Sequence, residues 1–414
     1  MNHQKICVLV WNDFAHDARV LRIIETLVEQ QADVSLLCLE KGSEVKAETV
    51  SSKHFQVYRT SLTSPLSAFL TQICTRLDVR VGVIGTSGQG VLLAVTKLLR
   101  RAIGFLLFVS QVVIGQLRIY RLASQLSPTI VHGNDVNTLP LAWLISRKSN
   151  ALLVYDAHEI SADREGYRLR SWLVRSVEGF LVQKAAAMIT TTGMRAEWFQ
   201  EHYNVELPFV VQNRPAQYET KQPPAEDLVA FPTNSFVVVY QGGLQPGRGL
   251  RNLVDAVRDL PSVHLLMVGD GAQRRQLEDY SSDISQRVHF VGMKNLSELP
   301  AWTALGDVGV QVIRNTCFNH YSTDSNKLFE YVAAGLPVIA SDFPEISKIV
   351  KQWDLGILVD PDDPSEVREA IRLLSEDAAL SNRYKQNARR AGPLLDWSSQ
   401  ERILISSYQH ALSG

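Results

Sequence analysis

The residues best suited to bind a charged substrate lie in a polar loop and in the helix predicted after it. This segment, residues 321–335, carries Asn326, Lys327 and Glu330 near the predicted start of the helix. Lys327 and Glu330 are three residues apart and can face the same side of that helix. A lysine at this place can hold a diphosphate, and a carboxylate can accept both hydroxyls of a ribose. The alternative is a surface ion pair worth roughly a few tenths of a kcal/mol.

Turns that contain glycine follow three predicted strands in the second half of the chain. Glycine lets backbone amides approach a ligand closely, and a helix that begins after such a turn favours phosphate at its N-terminus. Glycine turns also arise for purely geometric reasons, so each turn alone is weak evidence for a site. The turns are Gly242-Gly243 after Phe236–Tyr240, Gly269-Asp270-Gly271 after His264–Val268, and Gly292 after Val288–Val291.

A second set of polar residues stands at the ends of predicted strands in the first half of the chain. Either His158 or Asp135 can act as a general base, which must lie within hydrogen-bond reach of the proton that it receives. Each residue of the set can instead cap a helix or satisfy a turn. The set comprises His132, Asn134, Asp135, His158 and Glu159.

Asp17 follows the first predicted strand, where the floor of a binding site is expected. It can equally cap the helix predicted to begin near Arg19. The ten histidines are dispersed without a spacing typical of metal ligands, so we expect no catalytic metal and no cofactor. A G-x-S-x-G nucleophile turn is absent from the sequence.

Short apolar strands alternate with longer amphipathic helices along most of the chain, which predicts crossover units and parallel sheets. The first half contains strands at Ile6–Trp11, Val34–Leu39, Thr129–His132, Leu152–Asp156 and Met188–Thr191, and helices at Arg19–Gln30, Leu139–Arg147, Ser171–Ala186 and Met194–Tyr203. The second half contains strands at Phe236–Tyr240, His264–Val268, Val288–Val291, Val308–Val312, Pro337–Ala340 and Gly356–Val359, and helices at Gly249–Leu260, Ala272–Asp283, Ser297–Leu305, Asn326–Ala334, Ser365–Leu374 and Ala378–Ala391. We therefore expect an α/β protein with two doubly wound domains, whose ligands bind at the carboxyl ends of the strands.

The domain boundary is predicted near residue 215, where the composition changes and three prolines fall between residues 223 and 232. We expect a first domain at residues 1–215, a linker at 216–234 and a second domain at 235–395. Residues 396–414 are predicted as a final helix that returns to the first domain.

Composition places the chain among ordinary globular proteins. It has 414 residues, of which 45% are apolar and 21% charged, and a net charge of −1. These values exclude fibrous and disordered classes and do not favour nucleic acid. Four scattered cysteines and the lack of a secretory signal predict a cytoplasmic location.

The charge is uneven, because residues 51–150 hold 11 basic and only 2 acidic side chains. The same region contains two uncharged runs of 16 residues, Val81–Thr96 and Ala102–Leu117. Each run is shorter than the roughly 20 residues that span a bilayer. Apolar runs flanked by basic residues predict a helix or shallow hairpin at an anionic membrane surface, through residues 81–121. The alternative is a buried helix beside a solvated basic face.

Several motifs in a fixed order resemble the retaining family 4 glycosyltransferases, which have the two-domain GT-B fold. The resemblance covers nearly the whole chain and rests on the run at 321–341 together with motifs elsewhere. These are Asn12 to Leu21, Ile130-Val-His-Gly-Asn-Asp135, Val154-Tyr-Asp-Ala-His-Glu159, Val210-Val-Gln-Asn-Arg-Pro215, Val239 to Gly249, Val268-Gly-Asp-Gly271, Phe290-Val-Gly292 and Asp396-Trp397-Ser398.

Three positions depart from the family pattern. The first of two glutamates eight residues apart is replaced by Ser322, while Glu330 matches the second. An arginine and a lysine five residues apart are replaced by Gly243 and Arg248. The second histidine of a His-x-His-Asp motif is replaced by Asn134.

The resemblance implies two Rossmann-like domains facing each other across a cleft, an acceptor-binding domain at residues 1–215 and a donor-binding domain at residues 235–395. It also implies metal-free transfer of a sugar from a nucleotide-diphosphate donor to an acceptor, with retention at the anomeric carbon. Arg248 and Lys327 are assigned to the phosphates and Glu330 to the ribose. The donor set implied by the family comprises Gly242, Gly243, Arg248, Gly269, Asn326, Lys327, Leu328 and Glu330. The catalytic set comprises Asp135, His158, Arg248 and Glu330, and the acceptor set Asp17, His132, Asn134, Asp135, His158 and Glu159.

The natural context of such an enzyme is bacterial cell-surface polysaccharide or glycolipid synthesis, with a lipid-linked or saccharide acceptor at the inner face of the cell membrane. Two alternatives use the same donor groove. One is a nucleotide-sugar epimerase of the GT-B fold. The other is a non-catalytic nucleotide-binding scaffold of an assembly complex, which the departures at Ser322 and Gly243 would suit.

Overall fold

The computed structural model describes residues 3–14, 17–40, 46–50, 55–86, 90–164, 171–216, 229 and 231–414. Most of the predicted linker, residues 217–228, lies outside this part of the chain, as do residues 87–89 of the apolar, basic stretch.

The first sheet contains eight described strands, in which the pairs β4–β2, β2–β1, β1–β5, β5–β6 and β7–β8 are parallel and the pair β3–β4 is antiparallel. Their order is β3-β4-β2-β1-β5-β6-β7-β8, so the chain runs outward from β1 in both directions as in a doubly wound fold. The strands are Lys5–Leu9 (β1), Asp33–Glu40 (β2), Lys46–Val50 (β3), Phe55–Ser61 (β4), Ile130–Asn134 (β5), Leu152–Ala157 (β6), Ala187–Thr190 (β7) and Phe209–Val210 (β8).

The helices between these strands are Ala18–Glu29 (α1), Pro65–Thr86 (α2), Gly90–Leu126 (α3), Asp135–Ser149 (α4), Ser171–Val182 (α5) and Gly193–Tyr203 (α6).

The second sheet has six parallel strands in the order β11-β10-β9-β12-β13-β14, the Rossmann arrangement with its change of direction between β9 and β12. The strands are Phe236–Gln241 (β9), Val263–Val268 (β10), Val288–Gly292 (β11), Val308–Gln311 (β12), Val338–Ser341 (β13) and Gly356–Val359 (β14). The helices are Leu250–Arg258 (α7), Arg274–Tyr280 (α8), Leu299–Thr303 (α9), Phe318–Tyr321 (α10), Asn326–Ala333 (α11), Pro344–Trp353 (α12), Pro364–Glu376 (α13), Ala378–Ala391 (α14) and Ser398–Ser413 (α15).

Both faces of the second sheet are buried, because neighbouring residues of one strand enter different cores. Val238 and Tyr240 of β9 belong to one apolar cluster, and Val237 and Val239 belong to another. Successive side chains of a strand point to opposite faces. Helices therefore cover both faces, as the near-continuous apolar runs of these strands predict.

The fold class predicted from the sequence is confirmed, and every predicted strand is present with small changes at its ends. Strands β3, β4 and β8, helices α10 and α12, and the part of α2 before residue 81 were not predicted. Helix α4 begins at Asp135 rather than at Leu139, and α8 is shorter than predicted. Short elements and helix ends are the weakest local signals.

Contacts divide the chain into two compact units. Unit 1 comprises residues 1–156, 184–186 and 411–414, and unit 2 comprises residues 157–183 and 187–410. Helix α15 lies mostly in unit 2, where Gln400 Oε1 accepts a hydrogen bond from the Gln212 amide and Ser399 Oγ accepts one from Arg214.

Helices α2 and α3 pack against each other in unit 1. The segment Leu93–Leu126 is long and apolar enough to cross a membrane when only length and composition are considered, with a window mean hydropathy of 1.8, and only 11% of that window is buried. The apolar run from Ala102 therefore belongs to one continuous helix of 37 residues, which is longer than the two separate runs suggest.

Candidate functional site

The turns that follow β9 and β10 pack backbone against backbone at the carboxyl edge of the second sheet. A Cβ atom on Gly269 would lie 2.1 Å from the carbonyl oxygen of Gly242. Both glycines have positive φ angles, +147° for Gly269 and +126° for Gly242. Only glycine fits this close approach, so two of the predicted glycine turns meet at one place.

Lys327, near the start of α11, lies across the first of these turns. A Cβ atom on Gly242 would lie 2.5 Å from Lys327 Cε, and Lys327 Nζ lies 5.7 Å from the centroid of the Tyr240 ring. Burial, with a further contribution from the positive charge of Arg248, lowers the pKa of Lys327 to about 7. The two cations predicted for the diphosphate are therefore neighbours, and a bound anion would favour the charged form of the lysine.

Glu330 stands one turn further along α11 and contacts the end of β9. Its Oε2 accepts a hydrogen bond from Gln241 Nε2, and Gln241 Oε1 accepts one from the hydroxyl of Thr303. The hydroxyl of the next residue, Tyr331, accepts a hydrogen bond of 3.1 Å from the backbone N–H of Gln241. The lysine and the carboxylate predicted from their spacing thus lie together at the edge of the sheet.

The remaining predicted donor residues contribute in different ways. Asn326 is exposed at the first position of α11. Leu328 is fully buried in the apolar core, so only its backbone can contact a ligand, and its amide donates to Ser325 O. Gly243 is exposed, and its carbonyl accepts a hydrogen bond from the Tyr240 hydroxyl.

A polar cavity of about 480 Å³ lies in unit 2. Three arginines and one histidine face a single glutamate in its lining, which suits an anionic ligand. Only Arg248 and Glu159 of this lining were predicted from the sequence. The residues are Glu159, Arg164, Arg195, Gln245, Pro246, Arg248, Ile313, Cys317, Asn319, His320 and Thr323.

Arg195 is a buried cation that no sequence pattern indicated. It is 7% exposed, and it donates hydrogen bonds to His158 O, Thr191 Oγ1, Asn319 O and Ser322 Oγ. Burial lowers its pKa, and the negative charge of Asp324 opposes that effect. The serine that replaces the first family glutamate is therefore in contact with a guanidinium.

His158 and Glu159, predicted on the acceptor side, lie directly after β6. The backbone carbonyl of His158 accepts a hydrogen bond of 2.7 Å from Arg195. The carboxylate of Glu159 forms an ion pair of 2.9 Å with Arg164 and lines the cavity. Both residues are half-buried.

Two other acceptor candidates, Asp17 and His132, take part in structural contacts within unit 1. Asp17 Oδ1 caps α1 by accepting from the Val20 amide at 3.2 Å, the alternative that the sequence left open. His132 is fully buried, and its Nε2 lies 3.9 Å from the Asp156 carboxylate. That carboxylate is itself held by two hydrogen bonds from Arg19, at 2.8 and 2.9 Å.

Asn134 and Asp135 form the junction between β5 and α4. Asn134 is buried and donates to Leu9 O at 3.0 Å, so its amide ties two neighbouring strands together. Asp135 has a φ of +59°, which is rare for a residue with a side chain. Backbone strain of this kind clusters at functional sites.

Two family models match this sequence. "Glycosyl transferases group 1" matches residues 235–377, and "Glycosyl transferase 4-like domain" matches residues 16–213. The curated relative LpsD, a lipopolysaccharide core biosynthesis glycosyltransferase of Rhizobium meliloti, is 30% identical over 163 residues. The matched segment covers 39% of this chain and 45% of that protein, less than half its length.

Solved structures share the fold over the whole chain. Sucrose-phosphate synthase from Thermosynechococcus elongatus is similar with a TM-score of 0.73 and 18% identity, over 99% of this chain and 100% of that one. Anabaena HepE in complex with UDP has a TM-score of 0.69 and 17% identity, over 98% and 100%. Together with the motifs and the two sheets, these matches lead to one conclusion: the chain belongs to the group 1, family 4 glycosyltransferases of the GT-B fold.

Proposed function

We propose that this glycosyltransferase takes its sugar from a nucleoside-diphosphate donor and transfers it with retention at the anomeric carbon. The observation that carries the proposal is the placement of Lys327 and Arg248 beside the Gly242 turn, with the Glu330 carboxylate on the same helix as the lysine. Anabaena HepE, which shares the fold, is solved with UDP.

In this proposal the two cations stabilise the diphosphate as it leaves. Charge grows on the leaving phosphate oxygens in the transition state, and fixed positive groups lower the barrier without reorganising. Glu330 accepts the ribose hydroxyls and so holds the nucleotide in register. We propose that no metal ion is required, and activity that survives excess EDTA is the expected result.

The acceptor proton goes to Asp135 or to His158. We favour Asp135 because its backbone is held at a φ of +59° at the end of β5. Asp135→Asn is expected to lower kcat and to leave nucleotide binding unchanged. A variant that keeps full turnover would transfer the role to His158.

The donor site is tested by thermal stability of the protein with UDP, GDP, ADP, dTDP and CMP in turn. A ligand at 100 times its Kd adds about 2.7 kcal/mol, which raises Tm by several degrees. One nucleotide should give this shift, and Glu330→Ala should abolish it. Arg248→Ala is expected to lower the transfer rate by roughly 10²–10³, as for the loss of one transition-state donor.

Two other outcomes would point to the alternative functions. Nucleotide binding without turnover on any acceptor would favour a scaffold of an assembly complex. Interconversion of nucleotide sugars without an acceptor would favour an epimerase of the same fold. Absence of any nucleotide shift would refute the donor site itself.

We further propose that the acceptor is lipid-linked and that α3 rests on the cytoplasmic face of an anionic membrane. Large apolar residues spaced three or four apart lie on one face of a helix. In α3 such residues are exposed by 38–67% of their surface, although water is a poor environment for them. They are Val95, Leu98, Leu99, Phe105, Leu106, Val109, Val113 and Leu117.

Basic residues of the same helical region fit this orientation. Residues 65–126 contain seven arginines and lysines and a single acidic residue, Asp78, which pairs with Arg100 at 2.8 Å. Lys97 and Arg101 are exposed and can extend to lipid phosphates while the apolar face enters the acyl boundary, whereas Arg118 donates to Ser61 O within the fold. Such a helix lies in the interface between lipid and water. We place it on the cytoplasmic face because the proposed nucleotide-sugar donor is a cytoplasmic substrate.

Sedimentation with vesicles tests the membrane proposal. The intact protein should bind phosphatidylglycerol vesicles more strongly than phosphatidylcholine vesicles, and Leu98→Glu with Leu106→Glu should abolish that binding. Leu144→Glu is the matched control, because Leu144 is 48% exposed on α4, outside helices α2 and α3. Equal binding by the double variant and the parent would refute the proposal.

A further inference from the structure

The side chain of Gln241 bridges three elements of unit 2 below the proposed nucleotide site. It is the last residue of β9 and is only 2% exposed. Its Nε2 donates to Glu330 Oε2 on α11, and its Oε1 faces the Thr303 hydroxyl at the end of α9. A buried side-chain amide with both ends engaged has one orientation only.

The chemistry of the three groups sets the direction of these hydrogen bonds. An ionised carboxylate only accepts, so the amide nitrogen must face Glu330 and the amide oxygen must face Thr303. The Thr303 hydroxyl then has to donate its single proton to that oxygen, although Leu299 O lies 2.9 Å away as a competing acceptor. The threonine therefore fixes the amide, and the amide fixes the carboxylate.

The backbone of α11 is anchored at the adjacent residue. The Tyr331 hydroxyl accepts a hydrogen bond from the backbone N–H of Gln241 at 3.1 Å and donates one to Val310 O at 3.1 Å. A Cβ atom on Gly309 would lie 2.1 Å from the Tyr331 ring, so the ring rests directly on β12. The position of Glu330 along the sheet edge is thereby set, and only its side-chain orientation remains for Gln241 to decide.

Without Gln241 the Glu330 carboxylate would have a competing partner. Oppositely charged residues three apart on a helix attract each other, and Lys327 occupies that position. The negative charge of Glu330 already acts on Lys327, where it raises the pKa of the lysine against the effect of burial. Engagement of one Glu330 oxygen by Gln241 limits how far the carboxylate can turn toward the lysine.

We propose that Gln241 and Thr303 are positioning residues that orient Glu330 toward the ribose hydroxyls, an inference that rests on the nucleotide site proposed above. Neither residue touches the nucleotide itself in this arrangement. Substitution of either residue should therefore weaken binding only when the nucleotide carries its ribose hydroxyls. A general loosening of the fold would weaken binding of nucleotides with and without those hydroxyls alike.

The experiment measures Kd for the nucleoside diphosphate that gives the largest shift in the five-nucleotide series, and Kd for its 2′,3′-dideoxy form. Thr303→Val and Gln241→Glu keep the side-chain volumes and remove the required donors. Each should weaken binding of the ribose form about tenfold and leave binding of the dideoxy form within twofold of the parent. Thr190→Val is the matched control, because Thr190 is a buried threonine of β7 whose hydroxyl donates to Ala157 O at 2.9 Å and, among the described residues, forms no hydrogen bond with Gln241 or Glu330.

Gln241→Glu carries a second signature, because two adjacent carboxylates share a proton at low pH. Its affinity for the ribose form should recover between pH 8 and pH 5, whereas that of Thr303→Val should not. Equal weakening of both nucleotide forms, or no change in either, would overturn the positioning role. If Glu330→Gln itself fails to distinguish the two forms, the ribose assignment fails instead, and the two failures are thereby separated.

Discussion

Replacement of Lys327 by methionine should stabilise the free protein and abolish its response to nucleotide. Burial and Arg248 lower the pKa of this lysine from 10.5 to about 7. One pKa unit corresponds to about 1.36 kcal/mol, so the charged lysine opposes folding by as much as about 4 kcal/mol at neutral pH. The Lys327 side chain is partly accessible, and water screens part of its charge. The expected loss of folding free energy from this lysine is therefore about 2–4 kcal/mol.

Methionine keeps the apolar stem that lies on Gly242 and removes the charge. Since 1 kcal/mol shifts Tm by roughly 2–4 °C in a domain of this size, Lys327→Met should raise Tm by roughly 4–16 °C. Across the range from pH 7 to 10.5 the unfolded parent binds more protons than the folded parent, so the stability of the parent rises with pH. The difference in Tm between Lys327→Met and the parent should therefore shrink as pH rises. Above the ordinary lysine pKa the two proteins should converge.

Differential scanning calorimetry at pH 7 and pH 9.5, with and without the nucleotide that binds the parent, provides the measurement. Lys348→Met, at an exposed position of α12, is the control and should change Tm by little. A lower or unchanged Tm for Lys327→Met would refute the buried-charge reasoning. A preserved nucleotide shift would remove Lys327 from the phosphate site.

Three further changes probe other parts of the structure. Gly242→Ala should weaken nucleotide binding by roughly 10–100-fold, because the new methyl group displaces the buried lysine and costs about one charge-assisted hydrogen bond, measured as Kd by calorimetry. Asp156→Asn should destabilise unit 1 by about 3–5 kcal/mol in urea unfolding, since the buried Arg19 loses an ionic partner, and a smaller loss would show that water reaches the pair. Burial lowers the pKa of both His264 and His289, so their contribution to stability should be lost as pH falls below about 6.5, and a double leucine variant should lack that part of the Tm decrease.

The sequence by itself determined the architecture, because the signals for strands and helices are local. Periodic apolar residues and glycine turns specified all the strands of the second sheet and most helices, and the alternation of strands with helices predicted parallel sheets. Lys327 and Glu330 could be paired from their spacing alone, because three residues along one helix bring side chains together. The cap formed by Asp17 was likewise readable as one of two alternatives.

Only the tertiary structure decided which distant residues complete the site. Arg195 lies 127 positions before Ser322, and Gln241 lies 62 before Thr303 and 89 before Glu330. No periodicity links such residues, and nothing in the local sequence distinguishes them from other polar side chains near strand and helix ends. Tertiary packing also lowered the pKa of Lys327, since that shift depends on burial and on Arg248, 79 residues away in the chain. The local sequence therefore identifies candidate reacting groups, whereas contacts between distant parts of the chain determine their charge and orientation.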